Sequence, residues 1–343
     1  MYTFFPLRLR DGVPGREDCG EDEKKMRTVS IFPSQKGMAL VMTLLILTLL
    51  VVTGLELNRA VRVEANLAGN FRDLTQSSYV AQSGVEIARL LIQNDDPTYD
   101  ALNEQWAQFE SLASLSQMLF PEGSFAGRIV DENSKLNPNG LIDRFGNVDP
   151  KKRTQMERLL VLLEYDPAVL DAILDWLDPD DQPRPHGGEK DFYLKQKIPY
   201  SAKNGAMDYL GEMLLIRGMD ASALYGSKER SGLKDFLTVY SDGRLNINTA
   251  GLIPLMCLSP EVDRTMAQAV LDARREKPFR KAEELRAVPG WNSLYPLISS
   301  EVTVQSTTFS VEMIGTYRQA RTVIQAVLKR EGPRTRILMW KAG

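Results

Sequence analysis

This sequence of 343 residues is very poor in histidine and cysteine, and that scarcity excludes several kinds of site. His186 is its one histidine, which leaves little basis for a histidine-rich zinc site or a proton relay. Cys19 and Cys257 can form at most one disulfide, so a disulfide scaffold is excluded. With 42 basic and 45 acidic residues, the chain also lacks the positive charge of a protein-wide nucleic-acid surface.

The length and composition are those of a folded protein with more than one core. Apolar residues make up 43% and charged residues 25% of the chain, without a collagen-like or disordered bias. Since a domain typically has ~100–200 residues, we expect two or three domains.

A long apolar run near the N-terminus is the strongest local signal. No charged residue lies between Lys36 and Glu56, and the 18 residues from Met38 to Leu55 would form ~27 Å of helix, enough to cross a bilayer. A buried core helix explains the run less well, because such helices usually keep a polar face. Arg27 and Lys36 precede the run, so the positive-inside rule predicts a cytoplasmic N-terminus and an exported remainder.

The helix is predicted to continue well beyond the apolar run. Residues 56–92 contain no proline and keep a helical spacing of apolar residues, so we expect one helix over 38–92, first membrane-spanning and then amphipathic. The apolar stripe consists of Leu57, Val61, Leu67, Phe71, Leu74, Ala81, Val85, Ala88 and Ile92.

The junction before the apolar run resembles that of type IV prepilins and pseudopilins, in which a basic residue and a glycine precede an apolar helix. By this resemblance the prepilin peptidase cleaves after Gly37, residues 1–37 are the leader, and Met38 becomes the methylated first residue. A start at Met26 would give a shorter basic leader, and we expect it to be the true start. Most members of the superfamily have glutamate at the fifth mature position, where this chain has Met42.

The exported part is predicted to contain strands on both sides of a helical region. Residues 125–130 and 237–240 have strand character, and turn-rich segments that share Leu-Asn-x-Asn follow each, the first as a hairpin signal. Helical segments are predicted over 154–177 and 249–289, and antiparallel strands over 309–316, 320–328 and 336–340, with alternation at Val323, Gln325 and Val327. We therefore expect an α+β fold with a sheet over 93–145 and 301–343, interrupted by an inserted α domain over 146–300.

The segment 249–289 resembles a helix-hairpin-helix unit, which often binds DNA through a glycine-rich hairpin. Here the hairpin carries Glu261 and Asp263, and acidic groups would repel phosphate. A helical scaffold without nucleic-acid binding is therefore expected.

Taken together, these features resemble the minor pseudopilin K family of the type II secretion system, most specifically in DENSKLN, DWLDPDDQPRP and SDGRLNINTA. That family lacks the glutamate at the fifth position. The resemblance implies a pilin-like fold with a long helix on an antiparallel sheet and an inserted all-α domain. It implies a structural protein at the tip of the pseudopilus, anchored by a single pass in the bacterial inner membrane with its C-terminal domain in the periplasm. The implied partners are the I, J and H minor pseudopilins and the major pseudopilin.

One loop has the composition of a metal site. Residues 175–191 contain six carboxylates together with several prolines and glycines. Calcium binds ~6–8 oxygens on such flexible segments. A solvated acidic loop is the alternative, and the resemblance favours calcium because the family binds it in this region. The preferred ligands are Asp178, Asp180, Glu189 and Asp191, with Asp175 and Asp181 as further candidates. His186 is not expected to bind, since calcium prefers oxygen.

Other functions have less support in the sequence. The acidic loop is the one candidate for an acid–base pair or a magnesium site, and no phosphate-binding glycine loop accompanies it, so we do not expect an enzyme. A minor pilin of a type IV pilus would share the N-terminus but not the helical insertion, and a membrane-anchored helix-hairpin-helix protein would need a basic hairpin.

Overall fold

The computed structural model describes the chain from Gln35 to Gly343. Most of the predicted leader 1–37 and the proposed start at Met26 lie outside the described residues. The chain divides into two units, the first ending at Ala65 and the second comprising Asn66–Gly343.

The described residues contain helices before, between and after the strands, as an α+β fold requires. The helices are α1 (Gln35–Gln93), α2 (Phe109–Ala113), α3 (Pro150–Leu162), α4 (Val169–Leu177), α5 (Lys190–Tyr193), α6 (Ala221–Tyr225), α7 (Leu252–Cys257), α8 (Arg264–Glu276) and α9 (Tyr295–Ile298). The strands are β1 (Gly123–Asp131), β2 (Leu245–Asn246), β3 (Val302–Thr303), β4 (Thr308–Tyr317), β5 (Ala320–Glu331) and β6 (Arg334–Ala342).

The long N-terminal helix confirms the prediction from the apolar run and its extension. Within it, Gly37–Gln93 holds a stretch that is long and apolar enough to cross a membrane, and none of that stretch is buried. In the second unit the stripe is exposed at Leu67, Phe71 and Leu74 and becomes buried from Ala81 onward. The buried end of the stripe packs on the sheet, so α1 is amphipathic as expected.

The main sheet is antiparallel, with the strand order β1-β4-β5-β6. The apolar residues of α1 share a core with side chains of β1, β4 and β5, among them Phe125, Phe309 and Ile324. Gly315 permits the close approach, because a Cβ at this position would lie 2.2 Å from the carbonyl oxygen of Ser77 on α1. This arrangement confirms a long helix on an antiparallel sheet.

The burial of β5 differs in phase from the predicted alternation. Ile324, Ala326 and Leu328 face the core shared with α1, whereas Gln325 is exposed and Val323 only partly buried on the opposite face. Both faces of the strand carry apolar residues, so the sequence pattern does not identify the inner one.

The insertion lies between the adjacent strands β1 and β4 and has its own core. It begins after Asp131 and ends before Thr308, which is wider than the predicted 146–300, and its core includes Leu136 and Val304. It is not all-α, because β2 and β3 pair in parallel within it. The backbone amides of Leu245 and Ile247 donate to the carbonyl oxygens of Glu301 and Thr303, which connects these two distant segments.

The first turn-rich motif does not form the predicted hairpin. β1 pairs with β4, and residues 237–240 form no strand apart from a single parallel bridge between Leu237 and Leu136. The motifs pack against each other instead: the Asn133 amide donates to Asp242 at 2.7 Å, and the Asn137 amide donates to the Ser241 carbonyl oxygen at 2.7 Å. The weak repeat is therefore a pair of interlocking turns.

The predicted helical segment 154–177 is two helices. α3 ends at Leu162, Glu164 has a φ of 60°, and α4 begins after Pro167. A residue before proline disfavours helix, which explains the break. The predicted helix-hairpin-helix segment has the expected order, since α7 and α8 flank the predicted hairpin. Asp263 caps α8 by accepting from the Met266 backbone amide at 2.8 Å.

Candidate metal centre

The acidic loop begins at the C-terminal end of α4 and ends at the start of α5. Asp175 lies in the last turn of α4, and Asp178 directly follows the helix in an extended conformation. Both are buried, with exposed fractions of 0% and 1%. α4 is apolar along most of its length and buried in the core of the insertion, so it fixes both carboxylates in the interior.

Three of the predicted ligands converge in the structure. Asp178, Asp180 and Glu189 each place a carboxylate oxygen within 4.8 Å of the others. Glu189 is 3% exposed, whereas Asp180 lies on the exposed rim. Three carboxylates at this separation repel one another unless a cation or protons neutralise them.

The buried oxygens of this cluster lack hydrogen-bond partners. Oδ1 of Asp178 and both carboxylate oxygens of Glu189 are buried without a donor. Leaving a buried acceptor unpaired costs about 1–3 kcal/mol, and more when it is charged. A cation coordinated by these oxygens would remove that cost.

The electrostatics of the cluster reflect the same shortage of positive charge. Burial, followed by the charge of Asp175, raises the pKa of Glu189 to about 8. Burial also raises the pKa of Asp178, although the hydrogen bond from Arg184 opposes this effect.

Arg184 is the cationic group nearest to these carboxylates. Its Nη1 donates to Asp175 Oδ1 at 2.6 Å and also contacts Oδ2 of Asp178. Its backbone amide donates to Asp175 Oδ2 at 3.1 Å. Both oxygens of Asp175 therefore accept hydrogen bonds from Arg184. Asp178 contacts Arg184 through Oδ2, and its Oδ1 has no donor.

The remaining predicted residues lie apart from the cluster. Asp191 is exposed in the first turn of α5, and Asp181 is exposed and accepts from the amide of Asn204 at 3.2 Å. The structure thus does not group Asp191 with the others, because the α5 turn directs it elsewhere than Glu189. His186 is exposed and its backbone amide donates to Asp171.

Asn204 is a candidate that the sequence analysis missed. Its amide donates to the Asp180 carbonyl oxygen at 2.8 Å, and its own Oδ1 is buried without a partner. Its φ of 49° is a conformation in which asparagine is favoured, and a glycine follows it. A Lys-Asn-Gly turn was the available signal, but nothing in it indicates proximity to a loop 23 residues earlier.

A second carboxylate group occurs in the described chain, at Asp95, Asp100 and Glu104. Arg330 already lies among these residues, with its Nη1 2.8 Å from Asp100 Oδ1. Glu104 accepts from the Trp106 indole at 2.9 Å. Because Arg330 contacts two of these carboxylates and Glu104 has its own hydrogen-bond donors, this group fits a metal ion less well than the Asp178 cluster does.

The oxygen donors around Asp178 fit a hard divalent cation. Carboxylate and amide oxygens on a flexible loop are the ligands that calcium prefers, and histidine and cysteine are absent from the cluster. Asp178, Asp180 and Glu189 would supply carboxylate oxygens, the unpaired Oδ1 of Asn204 is a further candidate, and water completes such sites.

Comparisons with known proteins agree on one family. Residues 134–227 match a family model described as "Type II secretion system (T2SS), protein K", and residues 245–311 match a second model with the same description. The second match covers the helix-hairpin-helix segment.

Three curated relatives have the name "Type II secretion system protein K". The protein from Pseudomonas aeruginosa is 27% identical over 73% of this chain and 75% of its own length. The Klebsiella pneumoniae protein is 28% identical over 77% and 79%, and the Aeromonas hydrophila protein is 27% identical over 86% and 93%. These names are those of a secretion-system component rather than an enzyme.

The fold is similar to one chain of the crystal structure of the GspK-GspI-GspJ complex from the enterotoxigenic Escherichia coli type 2 secretion system. The TM-score is 0.65 at 20% identity, covering 82% of this chain and 99% of that chain. The comparisons do not favour a type IV minor pilin or a DNA-binding protein. The resemblance seen in the sequence is confirmed: the two family models and the three curated relatives that this chain matches are all type II secretion system protein K.

Proposed function

We propose that this minor pseudopilin lies at the tip of the type II secretion pseudopilus and takes part there in protein export across the outer membrane. The observation that carries the proposal is the insertion between the adjacent strands β1 and β4, which adds a second hydrophobic core to the pilin-like unit. A body of this size would prevent another subunit from packing above it. A terminal subunit needs no further subunit in that position.

The side chain at position 42 supports a terminal position. Where most pseudopilins carry glutamate, this chain has Met42 within the apolar part of α1. A carboxylate there would neutralise the N-terminal amine of a neighbouring subunit, and without that partner it would be an unpaired charge in the bilayer, which costs several kcal/mol. Methionine avoids this cost in a subunit that has no neighbour above it.

The proposed partners follow from the related complex. By similarity to the GspK-GspI-GspJ structure, we propose that this chain binds the I and J minor pseudopilins, with the H minor pseudopilin and the major pseudopilin below them. α1 would anchor it in the inner membrane by a single pass, with residues 56–343 in the periplasm. This orientation rests on Arg27 and Lys36, which precede the apolar segment.

Processing by the prepilin peptidase belongs to the same proposal. Cleavage after Gly37 would leave Met38 as the methylated N-terminus. We expect Gly37→Leu to remain uncleaved in the inner membrane, because the peptidase requires a small residue there, whereas Ser34→Ala should be processed normally. N-terminal sequencing and intact mass measure both, and a normally processed Gly37→Leu protein would refute the assignment.

We also propose that the Asp178 cluster binds calcium. The support is the set of buried oxygens without donors on Asp178, Glu189 and Asn204. A bound calcium ion would supply two positive charges and tie the loop between α4 and α5 to the segment at Asn204. Its role would be structural, since it would hold the insertion in one conformation.

Gold labelling of the full-length protein on isolated pseudopili tests the tip position. Label at filament ends, together with co-purification of the I and J proteins from detergent-solubilised membranes, is the expected result. Label distributed along filament shafts would overturn the tip position while leaving membership of the secretion system intact.

A further inference from the structure

The geometry points to Arg184 as a positioning residue that assembles the calcium site by holding Asp178 in place. This inference rests on the proposed calcium site and goes beyond it, since Arg184 is assigned no contact with the ion. It concerns how a buried carboxylate is presented to a cation before that cation arrives.

The first support is how Arg184 divides the oxygens of two carboxylates. One guanidinium nitrogen contacts Asp175 Oδ1 and Asp178 Oδ2, so the guanidinium group joins the two side chains. Oδ1 of Asp178 is left buried and without a donor. This free oxygen belongs to the carboxylate that converges with Asp180 and Glu189. Arg184 thus contacts one oxygen of Asp178 and leaves the other available to a cation.

The second support is that Arg184 itself is firmly held. Its backbone amide donates to Asp175 at 3.1 Å, and its carbonyl oxygen accepts from the Gly187 amide at 3.0 Å. The Gly187 carbonyl oxygen in turn accepts from Arg217 Nη1 at 2.5 Å. These bonds fix the turn that carries Arg184. Asp175, in the last turn of α4, accepts from both its backbone amide and its side chain.

The third support is the charge balance. With every carboxylate ionised, as a bound cation would keep them, Asp175, Asp178 and Arg184 together have a net charge of −1. With Asp180 and Glu189 the cluster then reaches −3, and a divalent cation nearly neutralises it. Without Arg184 the same four carboxylates would total −4, and their repulsion would spread the ligands apart. Outer-shell partners that orient metal ligands typically change metal affinity by ~10–100-fold when they are removed.

Two other roles for Arg184 would give different results in calcium binding. If Arg184 were a counter-ion that calcium must displace, its removal would tighten calcium binding. If it were only a structural contact, its removal would lower the melting temperature and leave the calcium dissociation constant unchanged.

Isothermal titration of the full-length protein in detergent, stripped of metal and titrated with calcium chloride, distinguishes these roles. We expect Arg184→Gln to weaken calcium binding by ~10–100-fold and Arg184→Lys to weaken it less, because an ammonium group keeps the charge but not the planar fork. Arg153→Gln is the matched control on an exposed position, and it should bind like the wild type. Near-UV circular dichroism in excess calcium verifies folding.

The outcomes are separate from those of the calcium proposal itself. Absence of calcium binding by the wild type would overturn the metal site. Wild-type binding combined with unchanged or tighter binding by Arg184→Gln would overturn only the positioning role. If Arg184→Gln does not fold, Arg184→Lys decides, since a wild-type dissociation constant for that variant contradicts the proposal.

Discussion

Arg330 on β5 contacts both carboxylate oxygens of Asp100, at 2.8 and 3.1 Å, across 230 residues of sequence. The second oxygen of Asp100 also accepts from the Ser306 amide at 2.7 Å, and the Ser306 hydroxyl donates to Asp131 at 2.6 Å. Asp131 is the last residue of β1, and Ser306 shortly precedes β4. These hydrogen bonds, called the clasp below, connect the two ends of the insertion where the chain leaves β1 and returns to β4.

The clasp predicts a pH dependence of stability. Burial raises the pKa of Asp100 to about 7 and that of Asp131 to about 6. In the unfolded chain such carboxyls have a pKa of ~3.9, so between about pH 4 and 7 the folded chain holds protons that the unfolded chain has lost. Their contribution to stability is thus greatest below this window and decreases as the pH rises through it.

Asp131→Asn tests this directly, because it removes the titration and keeps the size. Relative to the wild type, the variant should gain stability as the pH rises from 4 to 7, by up to ~2–3 kcal/mol. Urea unfolding of the full chain in saturating calcium measures the difference, and the exposed Asp235→Asn is the control with no such trend. A difference between Asp131→Asn and the wild type that stays constant with pH would contradict the assignment.

Calcium should stabilise the protein, and Glu189 should reveal why. A ligand bound only by the folded state adds ~2.7 kcal/mol at a hundredfold excess over its Kd, so chelation should lower the melting temperature of the wild type. Glu189→Gln removes repulsion within the cluster along with a ligand. It should therefore melt higher than the wild type in chelator and show no calcium-dependent increase.

Asp191→Asn is the matched control for that experiment, because Asp191 is exposed and lies apart from the cluster. It should keep the full response to calcium. Thermal melts of each protein with chelator and with calcium give the comparison, and an equal loss of response in both variants would place the ion elsewhere in the loop.

Gly187 is predicted to be intolerant of a side chain. A Cβ at this position would lie 1.8 Å from Oδ2 of the buried Asp175, so the loop or α4 would have to shift. Forcing atoms into a packed site typically costs ~1–3 kcal/mol, and we expect Gly187→Ala to lower stability by that amount and to weaken calcium binding. At Gly205 the nearest atom to a Cβ is 3.9 Å away, so Gly205→Ala should be nearly neutral in the same melting experiments.

Local patterning was sufficient to predict most of the pilin-like part. The spacing of Ala81, Val85 and Ile92 marks the buried face of α1, and the C-terminal strands follow one another closely enough for their turns to be visible. The insertion was less predictable because its contacts are distant in sequence. A bridge between Leu136 and Leu237 occurs where the turn residues of the first segment suggested a hairpin, and no local feature of either segment indicates the other.

The candidate metal centre was also only partly predictable from the sequence. Composition identified the loop and three residues that converge, but the predicted Asp191 is directed away by a turn of helix only four residues long. The roles of Arg184 and Asn204 were not visible, because a side chain that orients a ligand has no distinctive spacing from it. Asp175 was a further candidate by residue type, and the structure pairs it with Arg184.

The exposed stripe on the second unit predicts where partner helices bind. Phe71 has 74% of its surface exposed and Leu67 has 62%, although both continue the apolar face that α1 buries farther along. Phe71→Asp should therefore leave the melting temperature of the isolated protein almost unchanged. Burying the same carboxylate against an apolar helix costs several kcal/mol, so co-purification with the I and J minor pseudopilins should fall sharply. Asn70→Asp adds the same charge at a neighbouring exposed polar position and should assemble normally. Equal recovery of the partners with Phe71→Asp and Asn70→Asp would mean that α1 does not contact them through this stripe.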